Sequence, residues 1–271
     1  MAVAVAGAAL ALAWPGVGAG QEPVPPPPEP TPIPAFELTR SSVQPRKAFF
    51  AAREIPTLTY EFAAPGPVDI RVELVRAGKV VESWSEPASE PFTGHEVAWD
   101  PVSDDGPQGG RLTFRVGPEG GVTRPAGSFR LRDHLFPVRA SHRYGDRFGA
   151  PRSGGRTHEG QDVWAGCGSE LVAARGGTVQ GKGYSGALYG YFVTIDGAGT
   201  QRDYFYAHMA APSPLGDGDR VQTGERIGAV GKTGNASGEG CQLHFELWPN
   251  GYRNGRPTDP LRELKRWDSW S

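Results

Sequence analysis

The stretch VDIRVEL, Val68 to Leu74, decides the reading of the fold. Val68, Ile70, Val72 and Leu74 alternate with polar residues, and a period of two is that of a half-buried strand. The same alternation continues on either side. Leu58, Tyr60 and Phe62 share one face upstream, and Val80, Val81 and Trp84 follow a turn at Ala77-Gly78. His95, Val97 and Trp99 form a further set, then Leu112, Phe114 and Val116, then Phe129 and Leu131. Turn residues separate them at Pro65-Gly66, Asp104-Asp105-Gly106, Gly109-Gly110 and Gly120-Gly121. Short strands at near-regular spacing predict a β-sandwich over residues 36–133. No reactive cluster lies here, and a lone His in a strand, as His95 is, reads as structural.

Composition agrees with an all-β chain. With 39 Gly and 26 Pro in 271 residues, turns are frequent and long helices disfavoured. Lys and Arg number 28 against 30 Asp and Glu, a net charge of −2, which argues against a nucleic-acid partner. Two cysteines are too few for a disulfide framework or a four-Cys zinc site.

The N-terminus reads differently. Residues 1–20 carry no charge, and their Ala- and Val-rich run is shorter than the roughly 20 residues of a membrane-spanning helix. It reads as the apolar part of a secretory signal, although no Lys or Arg precedes it; a disordered Ala-rich tail is the alternative. Residues 21–35 contain PVPPPPEPTPIP, which predicts an extended polyproline linker.

Residues 134–271 carry the chemistry. Strands are expected at Leu171–Ala173, Thr178–Val179, Tyr191–Ile195, Tyr204–His208, Arg226–Val230 and Leu243–Leu247, giving an antiparallel β domain with long loops. Five of the six histidines lie here: His134, His142, His158, His208 and His244. His158 and Asp162 form H-x-x-x-D, in which Gly160 disfavours a helix, so both would sit on a tight loop entering a strand. His244 lies in LHFEL, opposite in facing to Leu243 and Phe245. Two His and one carboxylate are a ligand set for a catalytic zinc with an open position. His208, in YAHM, could be a third ligand, a general base or structural. Asp162 could instead cap a turn, and Tyr206 could border the groove beside His208 or simply pack.

Taken in order, THEGQDVWA, VAARGGTV, YFYAHM, GDRVQTGERIGAVGKTGNASG and CQLHFELW resemble the lysostaphin/LytM-type zinc metallopeptidases, which cut the peptide part of peptidoglycan. The resemblance covers about Phe136 to Asp259. It implies a small antiparallel sheet, Zn2+ on His158, Asp162 and His244, and His208 beside the attacking water. The groove would be walled by Arg147 to Thr157 and Gly231 to Gly240. It implies further a secreted, wall-associated chain acting on a peptidoglycan peptide as a monomer, without organic cofactor. The sandwich in turn resembles the immunoglobulin-like or fibronectin-like modules that accompany exported wall enzymes, and would serve as a spacer or targeting module.

One departure bears on catalysis. The family typically has H-x-H where this chain has Gln242-Leu243-His244. An amide donates to an oxyanion but does not transfer a proton. An enzyme working through His208 alone, a slow enzyme and a metal-bound wall binder all remain open. Cys167 follows Asp162 and Cys241 precedes His244, so ligands that meet would bring the two cysteines together. They would then form a disulfide or, alternatively, two thiolate ligands on the same zinc.

Overall fold

The computed structural model describes residues 35–101 and 109–271. The signal-like segment, the linker up to its last residue and the Asp104-Asp105-Gly106 turn lie outside the described residues. The described residues are nearly all β, as their alternation demands, and form one compact unit containing two hydrophobic cores.

The first core lies between two sheets. One has the order β1-β3-β6, from Glu37–Gln44, Thr57–Ala63 and His95–Ala98. The other has the order β2-β8-β7-β4-β5, from Lys47–Phe49, Arg124–Arg132, Gly110–Pro118, Val68–Arg76 and Lys79–Ser89. Ile70, Val72 and Leu74 of β4 are fully buried, and they meet Leu58, Tyr60 and Phe62 of β3 in one cluster. Val80 and Val81 are exposed, because β5 is the sheet edge and turns them outward. His95 is structural: it stacks on Tyr60 at 5.1 Å, and its Nε2 meets the Glu90 carbonyl at 2.9 Å.

The second core underlies a seven-stranded sheet of order β15-β12-β13-β14-β17-β10-β9. In that order its strands are Arg220–Val221, Gly177–Ser185, Gly190–Gly197, Asp203–Met209, Gln242–Trp248, Gln161–Ala165 and His142–Tyr144. A separate pair joins β11, Glu170–Val172, to β16, Arg226–Ala229. Helix α1, Leu261–Asp268, buries Leu264 and Trp267 against the large sheet. His134 is structural there, stacked on Trp267 at 4.3 Å with Nε2 2.7 Å from the Tyr204 hydroxyl. Trp270 donates to the His134 carbonyl at 2.8 Å, so both tail tryptophans pack onto the fold. His142 also packs, stacked on Phe136 at 4.3 Å. Tyr206 belongs to this core, fully buried, with its hydroxyl accepting from the Ala174 N–H at 2.9 Å; it does not border the groove.

The cores are joined tightly. The Thr223 N–H donates to the Ala51 carbonyl at 2.8 Å, its hydroxyl bonds the Phe50 carbonyl, and the Arg175 guanidinium lies 3.9 Å from the Phe50 ring centre. No helix among the described residues is long and apolar enough to cross a membrane.

Candidate metal centre

Strand β17 has two unlike faces. Leu243, Phe245 and Leu247 enter the core, and Gln242, His244 and Glu246 face the groove, where they too are buried. Register puts Asp162 of β10 directly opposite His244, and directly opposed residues share a face. His158 reaches the same point from the loop before β10. The glycine between them is needed there, since a Cβ on Gly160 would meet the His244 ring at 2.8 Å.

Three ligand atoms converge. His158 Nε2 lies 3.1 Å from Asp162 Oδ1 and 2.9 Å from His244 Nδ1, and the latter is 3.0 Å from Asp162 Oδ1. The outer nitrogens fix the tautomers. His158 Nδ1 donates to the Arg147 carbonyl at 3.0 Å, and His244 Nε2 donates to Glu246 Oε1 at 2.9 Å. Once a metal displaces the proton that His244 would otherwise hold, the inner nitrogens present lone pairs at one point beside a carboxylate. Such a cluster needs a shared cation, and carbonyl or carboxylate support behind each His is the usual arrangement around a bound metal. The donor set fits a divalent metal. Glu246 is fully buried and also accepts from the Trp248 indole at 2.8 Å.

The electrostatics agree. Burial opposes a charged His244, but the Asp162 and Glu246 carboxylates outweigh it and raise its pKa to about 9. Burial likewise opposes an ionised Asp162, yet hydrogen bonds from His158 and His244 hold it below the usual carboxylate range. Its other oxygen, Oδ2, lies 3.5 Å from Arg152, which also pairs with Asp146 at 2.8 Å.

His208 reaches the groove through a backbone irregularity. Ala207 pairs with His244 and Tyr206 with Phe245, so strict alternation would send His208 into the core. Instead β14 carries one residue more than β13 between the pairs Val193–Tyr206 and Tyr191–Met209, and His208 has φ of 59°. Such a bulge re-aims a side chain. The imidazole lies 5.8 Å from that of His244, centre to centre, and its Nδ1 donates to the Thr233 carbonyl at 2.8 Å. Burial, helped by the neighbouring His244 charge, lowers its pKa to about 4. It is thus neutral at neutral pH, with Nε2 able to accept a proton.

Gln242 is buried in the same groove and donates from Nε2 to Glu239 Oε2 at 3.2 Å; its Oε1 has no partner. Tyr189, Arg152 and Glu239 also line the groove, and the sequence offered no sign of them beyond the two wall loops. Cys167 and Cys241 are joined in a disulfide with Cα atoms 5.2 Å apart, so neither sulfur is a thiolate ligand.

Residues 156–260 match the model of Peptidase family M23. This part of the chain is a peptidase family M23 domain. The chain is 27% identical over 153 residues to an L-Ala–D-Glu endopeptidase of Bacillus subtilis, covering 53% of this chain and 47% of that protein. It is 33% identical over 143 residues to the DD-carboxypeptidase/endopeptidase Mpg of Neisseria meningitidis serogroup B, covering 53% and 31%. The chain thus spans less than half the length of these relatives. Among solved structures, the catalytic domain of lysostaphin from Staphylococcus simulans is 26% identical, with 46% of this chain and 92% of that one covered and a TM-score of 0.42.

Proposed function

We propose that the protein is a zinc-dependent endopeptidase that hydrolyses peptide bonds of bacterial cell-wall peptidoglycan outside the cytoplasm. The observation that carries this is the meeting of His158 Nε2, Asp162 Oδ1 and His244 Nδ1 at one buried point, with a neutral His208 facing the same groove. Two His and a carboxylate leave a catalytic zinc one open position. When bound there, zinc supplies Lewis acidity and makes a water acidic enough to attack near neutral pH. The M23 relatives named as endopeptidases support the reaction class. The disulfide supports an oxidising compartment.

The residues divide the work. His158, Asp162 and His244 hold the metal, and Glu246 and the Arg147 carbonyl fix the two rings. His208 Nε2 takes a proton from the attacking water as its oxygen bonds the carbonyl carbon. Thr233 keeps that imidazole in the accepting tautomer by binding Nδ1–H. Gln242 can donate to the developing oxyanion.

Bound zinc and fragment release from purified peptidoglycan, measured on the full chain with His158→Ala as control, test the reading. About one zinc per chain with cleavage lost in the variant is expected. Zinc with no cleavage favours a wall-binding or hydrolase-regulating protein, the second reading, whose supporting observation is the amide at position 242. Absence of zinc from the wild-type chain overturns the ligand assignment.

A further inference from the structure

Hydrolysis of an amide at neutral pH gives a carboxylate and an ammonium, so two protons move from the water oxygen to the nitrogen. His208 accounts for one. The position that would supply a second carrier is Gln242, whose amide transfers none. The groove offers few replacements. Asp162 is committed to the metal, and Glu246 is fully buried with both oxygens engaged by His244 and Trp248. Of the remaining carboxylates, Glu159 and Glu239, the second is the one that the buried Gln242 amide holds, at 3.2 Å.

Its backbone is fixed as well. Glu239 ends the short helical turn Gly234–Gly238, and its N–H donates to the Ala236 carbonyl at 2.9 Å. Ala236 is buried, and the Asn235 N–H reaches the Leu188 carbonyl of the facing wall at 3.0 Å. Two residues further on, Cys241 is tied to Cys167. A solvent-exposed carboxylate anchored on both sides and aimed into a groove is not an ordinary surface charge.

We propose that Glu239 is the second proton carrier of the site and that Gln242 is its positioning residue, so that the pair performs together what one histidine would do alone. The proposal rests on the peptidase reading. His208 accepts the first proton from water as the C–O bond forms. The Glu239 carboxylate accepts the second as the intermediate collapses. The C–N bond breaks with its electron pair on nitrogen, which takes both protons, and imidazole and carboxylate return to their starting states.

The test is a double-mutant cycle on the full chain, with kcat and KM for peptidoglycan fragment release and zinc content measured together. Glu239→Gln is expected to lower kcat by about 10²-fold, the lower end of what general acid–base help supplies, with KM and zinc content unchanged. In the Gln242→His background, which restores a proton carrier, the same change should cost no more than about threefold. In metal-free protein, Glu239→Gln should shift the Gln242 side-chain amide resonance, since its acceptor changes. Equal costs in both backgrounds, an effect on KM alone, or an unmoved amide resonance would overturn the proposal. A wild-type chain that binds zinc but cuts nothing overturns the peptidase reading and this inference together, whereas an active wild type indifferent to Glu239→Gln overturns this inference only.

Discussion

The groove face and the core face of strand β17 are built from the same seven residues, and both are buried. On one, Leu243, Phe245 and Leu247 are held by exclusion from water. On the other, Gln242, His244 and Glu246 remain buried only because each finds a partner: Glu239, the pair Asp162 and His158, or Trp248. The β4 strand of the other core shows the ordinary case, with Ile70, Val72 and Leu74 inside and polar residues half-covered outside. Polar residues along one face of a strand that is buried on both faces therefore mark the groove here, while apolar alternation with exposed polar residues marks support.

This contrast can be broken by substitution. His208→Ala should lower the cleavage rate by about 10²–10⁴-fold while the urea midpoint barely moves, because the ring contributes proton transfer. A large loss of stability instead would make His208 a core residue. Phe245→Ala, next to His244 in sequence but on the apolar face, should cost about 3–5 kcal/mol of stability by equilibrium unfolding. His134 extends the contrast to pH. Burial, against the opposing pull of Asp133, lowers its pKa to about 4, so the unfolded chain binds a proton more readily than the folded one below pH 6.5. Its contribution is complete above about pH 6.5 and is lost as pH falls toward 4, a decline on the order of 3 kcal/mol. His134→Gln should flatten unfolding free energy over that window, and an unchanged slope would exclude this histidine as the source. Glu246→Gln keeps the volume but weakens the support behind His244, and should loosen zinc by about 10–100-fold in a competition titration. Ile70→Val, in the other core, should cost only about 0.5–1.5 kcal/mol and leave cleavage untouched. A cleavage defect there would give the sandwich a role in the reaction.

Much of this was legible in the residues, and what was not has physical causes. Alternation in VDIRVEL reports burial directly, so β4 and its neighbours could be read in advance. It could not tell that β5 is an edge, since strand order depends on distant pairing; hence Val80 and Val81 are outside. The convergent cluster was carried by the resemblance of THEGQDVWA and CQLHFELW, in that order, to the LytM-type peptidases, since the spacing of His158 and Asp162 alone is common. Glu239 carried no signal, being one exposed loop carboxylate among many until the fold sets it beside Gln242. Which way Tyr206 and His208 face could not be read from spacing: a regular strand would put both on one side, and the bulge separates them.

That extra residue in β14 has a consequence for anyone handling the gene. The side of the sheet that the imidazole serves is set by how many residues the strand contains, not by which ones. Removing Met209 would restore even pairing and return the ring to the apolar side, with Tyr206, Ala207 and His208 still in order. Grafting YAHM into a regular strand of another scaffold would copy the spelling and lose the catalyst. For this segment, insertions and deletions are the dangerous class of mutation, and conservation of length is the property to look for first.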